Sequence, residues 1–148
     1  MIRRGNHPKI RSVGRPPIAV AVFLATVLMA QVAFAGNPHF VTADASRSGN
    51  TLTVTFKEAG LGNEPQVHVV LSATALCINP GGHHPKAANK ESVQAAGDFP
   101  VQNGKAEGTL SVTATFKPDC SPPMEVRFTG VKLVDETSGA TANIPGTF

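Results

Sequence analysis

Two stretches of this chain alternate with strict period two. In Thr51-Leu52-Thr53-Val54-Thr55-Phe56 the apolar residues Leu52, Val54 and Phe56 share one side and the threonines take the other. Thr109-Leu110-Ser111-Val112-Thr113-Ala114-Thr115-Phe116 repeats the arrangement, with Leu110, Val112, Ala114 and Phe116 together. Successive side chains of an extended strand point to opposite faces, and β-branched residues suit a pleated surface. Each stretch therefore predicts a half-buried strand whose apolar face needs a second layer to cover it. The two resemble each other as halves of a duplication would, but convergence of amphipathic strands on Thr, Val and Phe explains the likeness.

Further strands follow from the same reasoning. Phe40–Ala45 reads as a first strand closed by the turn cluster Ser46-Arg47-Ser48-Gly49-Asn50. A loop over Glu58–Pro65 leads to a strand at Val67–Ala75, with Val67, Val69, Leu71 and Ala73 facing in and His68 facing out. Ser92–Ala96 reads as a short edge strand, and Gln102-Asn103-Gly104-Lys105 as a tight turn, because Asn-Gly tolerates positive φ. Glu125–Thr129 and Val131–Val134 are strands interrupted at Gly130 by a bulge, and Thr141–Phe148 supplies a last strand weakened by Pro145 and Gly146. About seven or eight short strands with turns between them, and no amphipathic helix, predict an all-β fold: an immunoglobulin-like antiparallel β-sandwich. The likeness is one of architecture only, since the core tryptophan of antibody domains has no counterpart in a chain without Trp.

The first 35 residues read differently. Arg3, Arg4, Lys9, Arg11 and Arg15 precede an apolar run, Ile18–Ala30, and Ala33-Phe34-Ala35 then offers a small-x-small cleavage site. This order predicts a helical Sec signal peptide over 1–35 and a single mature domain over 36–148. The apolar run is short for a membrane span, which needs about 20 residues. Gly5-Asn6-His7 does not continue Arg3-Arg4 as a twin-arginine signal would, and no cysteine at the cleavage point invites a lipid anchor. The expected location is secreted or periplasmic, with no membrane attachment after cleavage.

Removing the leader reverses the charge. All 10 acids but only eight of the 13 cations lie beyond residue 35, so the net charge changes from +3 to −2. The mature part lacks the basic surplus that phosphate binding requires, and nucleic acid is not an expected partner. Two cysteines, Cys77 and Cys120, in an exported chain predict one disulfide. Closing that loop is worth about 4 kcal/mol by chain entropy.

Chemistry is sparse. Asn79–Glu91 is long, polar and broken by Pro and Gly, and connections of this length are usually functional or mobile. Asn79, His83, His84 and Asn89 are its candidate binding residues. Imidazole is a common metal ligand, but no zinc spacing accompanies His39, His68, His83 or His84. Asn79, Asn89, Glu91, Asp98 and Asn103 offer oxygens for calcium without an EF-hand run. No Gly-x-Ser-x-Gly elbow is present, and Asp135-Glu136 read as a solvated turn. Sugar or single-stranded DNA sites favour aromatic platforms, and only Phe40, Phe99 and Phe148 fall where they could be exposed. The threonine faces could in principle serve as ordered arrays, but twisted sandwich sheets make solvent-facing strand residues the simpler reading.

The run Cys77-x-Asn79-Pro80-Gly81-Gly82-x-x-Pro85, with Asn89-Lys90 downstream and Cys120 beyond, resembles small exported proteins of soil bacteria and some fungi. His83 and His84 depart from the Asn or Gln found there after the glycine pair. The resemblance implies export and one disulfide, and no activity. The sequence thus predicts a secreted, non-enzymatic binding or surface-interaction module, with no cofactor and an unidentified protein or surface ligand as partner. The alternatives are a domain binding calcium or a His-ligated metal, and a small secreted hydrolase or inhibitor.

Overall fold

The computed structural model describes residues 36–79 and 89–148. The expected leader over 1–35, together with His83 and His84, lies outside them. Among the described residues seven strands form: β1 (His39–Ser48), β2 (Thr51–Ala59), β3 (Gln66–Ile78), β4 (Lys90–Pro100), β5 (Lys105–Thr113), β6 (Glu125–Asp135) and β7 (Thr141–Ile144). They make two antiparallel sheets, a three-stranded one ordered β1-β2-β5 and a four-stranded one ordered β4-β3-β6-β7. No α-helix occurs among the described residues.

The alternation seen in the sequence sets the layers. Leu52, Val54 and Phe56 of β2 meet Val67, Val69, Leu71 and Ala75 of β3 in one apolar core shared by both sheets. This is the β-sandwich-like arrangement in which each sheet covers the other's apolar face. Phe40, Phe56 and Phe99 interlock across it, with centroids 5.7 and 4.9 Å apart and rings edge to face. Phe40, Phe99 and Phe148 all pack against this core and offer no free aromatic platform, contrary to expectation.

Several strands outrun their sequence-based bounds. β1 continues through Ser48, leaving Gly49 and Asn50 as the hairpin turn, with Gly49 at φ 57°. β4 extends from Lys90 to Pro100 and so absorbs the last residues of the expected loop. β5 begins at Lys105, straight after a turn in which Asn103 and Gly104 have φ of 52° and 73°. β6 is one continuous strand. Its register against β3 slips between Ser72 and Thr74, opposite Gly130, whose φ of 60° marks the expected bulge. The bulge switches the buried side from Val126 and Phe128 to Val131, Leu133 and Asp135.

Candidate functional site

The two ends of β3 carry the features from which a site could be built. At its C-terminal end Cys77 is bonded to Cys120 across a sequence separation of 43, with Cα atoms 5.7 Å apart. Cys120 sits in the Pro-rich connection between β5 and β6, so the bond ties that connection to the mouth of the 79–91 segment. Met124 places its sulfur 3.8 Å from that of Cys77, a packing contact because a half-cystine has no proton to donate. Asn79 is exposed on one stem of the segment and Asn89 is half-buried on the other. Lys90 pairs with Leu76, and the Glu91 carboxylate accepts the Thr115 N–H at 3.0 Å.

The oxygens weighed for calcium do not converge. Glu91 is engaged at this mouth, whereas Asp98, at the other end of β4, faces His68 across the ladder at 2.7 Å. Asn103 belongs to the β4–β5 turn. No group of three His, Cys, Asp or Glu side chains capable of holding a metal occurs among the described residues.

The outer face of the three-stranded sheet is a hydroxyl surface. Register aligns Ser46, Thr53 and Ser111 in one row and Ser48, Thr51 and Thr113 in the next. Their hydroxyls largely answer one another: Thr51 bonds Thr113 at 2.8 Å and Thr53 bonds Ser111 at 2.9 Å. Lys57 and Glu107 close the same face with a 2.9 Å ion pair.

At the N-terminal end of β3 lies a cluster that sequence reasoning missed. Glu58 and Asp135 come from different sheets, and both are buried, at 1% and 0% exposure. Asp135 accepts the N–H of Thr137 at 2.8 Å and of Ser138 at 3.2 Å, a turn in which a carboxylate replaces a backbone carbonyl. The Ser138 hydroxyl donates to Glu58 Oε1 at 3.1 Å and accepts the Ala140 N–H at 3.2 Å. Glu58 Oε2 is buried and no donor faces it. Burial, and then the charge of Asp135, push the Glu58 carboxyl up to about 7. The expectations of a solvated Asp135 and of Glu58 in a loop are thus corrected, whereas Glu136 is exposed in the turn as expected. The signal was present, since Glu58 keeps the parity of Leu52, Val54 and Phe56, and Asp135 that of Val131 and Leu133.

His68 adjoins this cluster and faces out, as expected. Its hydrogen bond to Asp98 raises its pKa above the ordinary histidine value, with Glu136 and Asp135 adding to the effect. Its backbone is clasped by the same turn: the His68 N–H donates to Thr137 Oγ1 and its carbonyl accepts from the Glu136 N–H, both at 2.9 Å. No family model, curated protein or solved structure matches this chain.

Proposed function

We propose that this chain is an exported, non-enzymatic binding or surface-interaction module. In this reading residues 1–35 are a cleaved Sec signal peptide, and residues 36–148 form an immunoglobulin-like sandwich that presents the 79–91 segment. The observation that carries the reading is the Cys77–Cys120 bond at the mouth of that segment. A disulfide there suits an oxidising location outside the cytoplasm and ties the β3 stem of the segment to the β5–β6 connection. The strand order supports the immunoglobulin likeness, because it corresponds to a seven-stranded sandwich whose fourth strand joins the sheet of the third. The bond differs from that of antibody domains in joining a strand end to a loop rather than bridging the two sheets.

The non-enzymatic reading rests on access. The carboxyl with the most altered chemistry, Glu58, is sealed in the core beside Asp135, where substrate cannot touch it. A binding module works instead through exposed, convergent polar groups on a rigid support. In this reading Asn79, His83, His84 and Asn89 are the residues through which a partner protein or surface ligand is held.

The test is capture from native culture supernatant and cell envelope by the immobilised mature protein. It is run beside the triple variant Asn79→Ala/His83→Ala/His84→Ala, with the thermal melts matched. The wild type is expected to retain a discrete partner that the variant loses. Identical capture by both proteins, or none by the wild type, would rule out this loop-based binding role.

A further inference from the structure

The Glu58–Asp135 corner poses a question of charge. Two carboxyls from opposite sheets meet in the core, and burying an unpaired charge is costly. Asp135 is held as an acceptor by two backbone N–H groups of its own turn. Glu58 accepts once, from Ser138, and its other oxygen faces no donor. Its neighbour is Asp135: Ser138 donates its N–H to Asp135 and its hydroxyl to Glu58, which sets the two carboxyls side by side, and the charge of Asp135 acts on Glu58. Two acceptors in contact without a donor repel. A proton on Glu58 Oε2 turns the same contact into a charge-assisted hydrogen bond to Asp135, stronger than a neutral one.

The groups that act on Glu58 among the described residues are Asp135 and Ser138, and neither carries a positive charge. Glu58 pairs with Phe40 on β1 and with Ala106 on β5, and the turn contributes Asp135 and Ser138. Glu136 and His68 act on one another beyond Asp135, and His68 is paired with Asp98. A metal ion fits the corner poorly, because both Asp135 oxygens and one Glu58 oxygen are already engaged. Hard cations want six or more oxygens, roughly.

We propose that one proton shared between Glu58 and Asp135 latches the 135–139 turn to β2, so that this corner of the sandwich is closed when the proton is bound and loosened when it leaves. The turn clasps His68 in its grip, so the latch also sets how firmly the start of β3 is held. The Cys77–Cys120 bond secures the far end of the same strand, about 30 Å away. One end is thus fastened covalently and the other by a proton that solvent pH can remove.

The direction follows from linkage. Glu58 holds its proton more tightly folded than unfolded, with a carboxyl raised from 4.5 to about 7. Its contribution is complete below 4.5, declines as pH rises and is lost above about 7. The loss amounts to about a 300-fold fall in the folding constant. His68 pushes in the same direction, since its pKa is also raised. Comparing the wild type with Glu58→Gln separates the two, because both proteins keep His68.

The experiment combines urea unfolding of the mature protein from about pH 4.5 to 8.5 with a carboxyl-carbon NMR titration. The Glu58 carboxyl is expected to titrate near 7. The Glu58→Gln variant, whose amide can donate to Asp135 at any pH, is expected to lack the 300-fold fall. A Glu58 carboxyl titrating near 4.5, or a variant with the wild-type pH slope, would overturn the latch. Should that variant not fold, Asp135→Asn decides. Sharing requires the Glu58 midpoint to drop in it, and an unchanged midpoint refutes sharing.

Discussion

Gly108 tests the packing between the sheets most sharply. It lies on β5 facing inward, and its φ is outside the left-handed region, so only space makes it glycine. A Cβ there would stand 2.2 and 2.3 Å from Phe99 Cε1 and Cδ1 and 2.9 Å from Phe56 Cζ. Carbon atoms pack at about 3.5–4.0 Å, so the Phe99 ring must retreat by more than about 1 Å. The ring is also confined along β4, where a Cβ on Gly97 would be 3.2 Å from its Cζ. Its remaining exit is outward, away from the 4.9 Å edge-to-face contact with Phe56. Losing that contact costs about 0.5–1.5 kcal/mol, and re-exposing much of a phenylalanine up to about 2 kcal/mol more. Reduced freedom of the unfolded chain returns about 0.4–1 kcal/mol. Gly108→Ala is therefore expected to lose about 2 kcal/mol, and its melting midpoint to fall by roughly 8 °C. The assay is urea unfolding of Gly108→Ala, Phe99→Leu and the double variant. In the Phe99→Leu background the alanine should cost at least about 1 kcal/mol less. An unchanged or raised stability for Gly108→Ala, or the same loss in both backgrounds, would refute the close approach of Phe99 to β5.

Other outcomes follow from single features. Replacing Cys77 and Cys120 together by alanine should lower stability in urea by about 4 kcal/mol, given the 43-residue separation, without changing the far-ultraviolet spectrum. Gly130→Ala should cost about 1 kcal/mol although nothing lies within 4 Å of the new Cβ, because φ there is +60°. Gly130→Asn, which tolerates that conformation, should cost less in the same unfolding assay. The His68 ring should titrate above the ordinary 6.5 by NMR and move back down in Asp98→Asn.

Much of the architecture was legible because period two is a direct consequence of strand geometry. Leu52, Val54 and Phe56 announced the buried side of β2, and Val67 to Ala73 that of β3. The bulge at Gly130 was legible too, since a glycine between two apolar runs of opposite parity marks an inserted residue. Polarity hid the rest. Lys57-Glu58 reads as the end of a strand, yet the ladder carries β2 on to Ala59 because Ala106 and Phe40 continue to pair with Glu58. Asp135 looked solvated because a carboxylate is rarely buried without a partner. Its partners are backbone N–H groups of the next residues, which composition does not reveal. The packing of Phe99 was not legible because its pocket is made by two glycines on separate strands, Gly97 and Gly108. Of the candidate binding residues, Asn79 and Asn89 are seen at the two stems of their segment.

The central claim is that an exported chain uses an oxidised staple to hold the mouth of its binding segment. Intact-mass and N-terminal analysis of the protein recovered from the culture medium or periplasm tests it most directly. The account predicts a chain beginning at Gly36 and lighter than the reduced form by the mass of two hydrogens, both sulfurs being joined. A chain that keeps its first 35 residues in the membrane, or one with two free thiols, would contradict it.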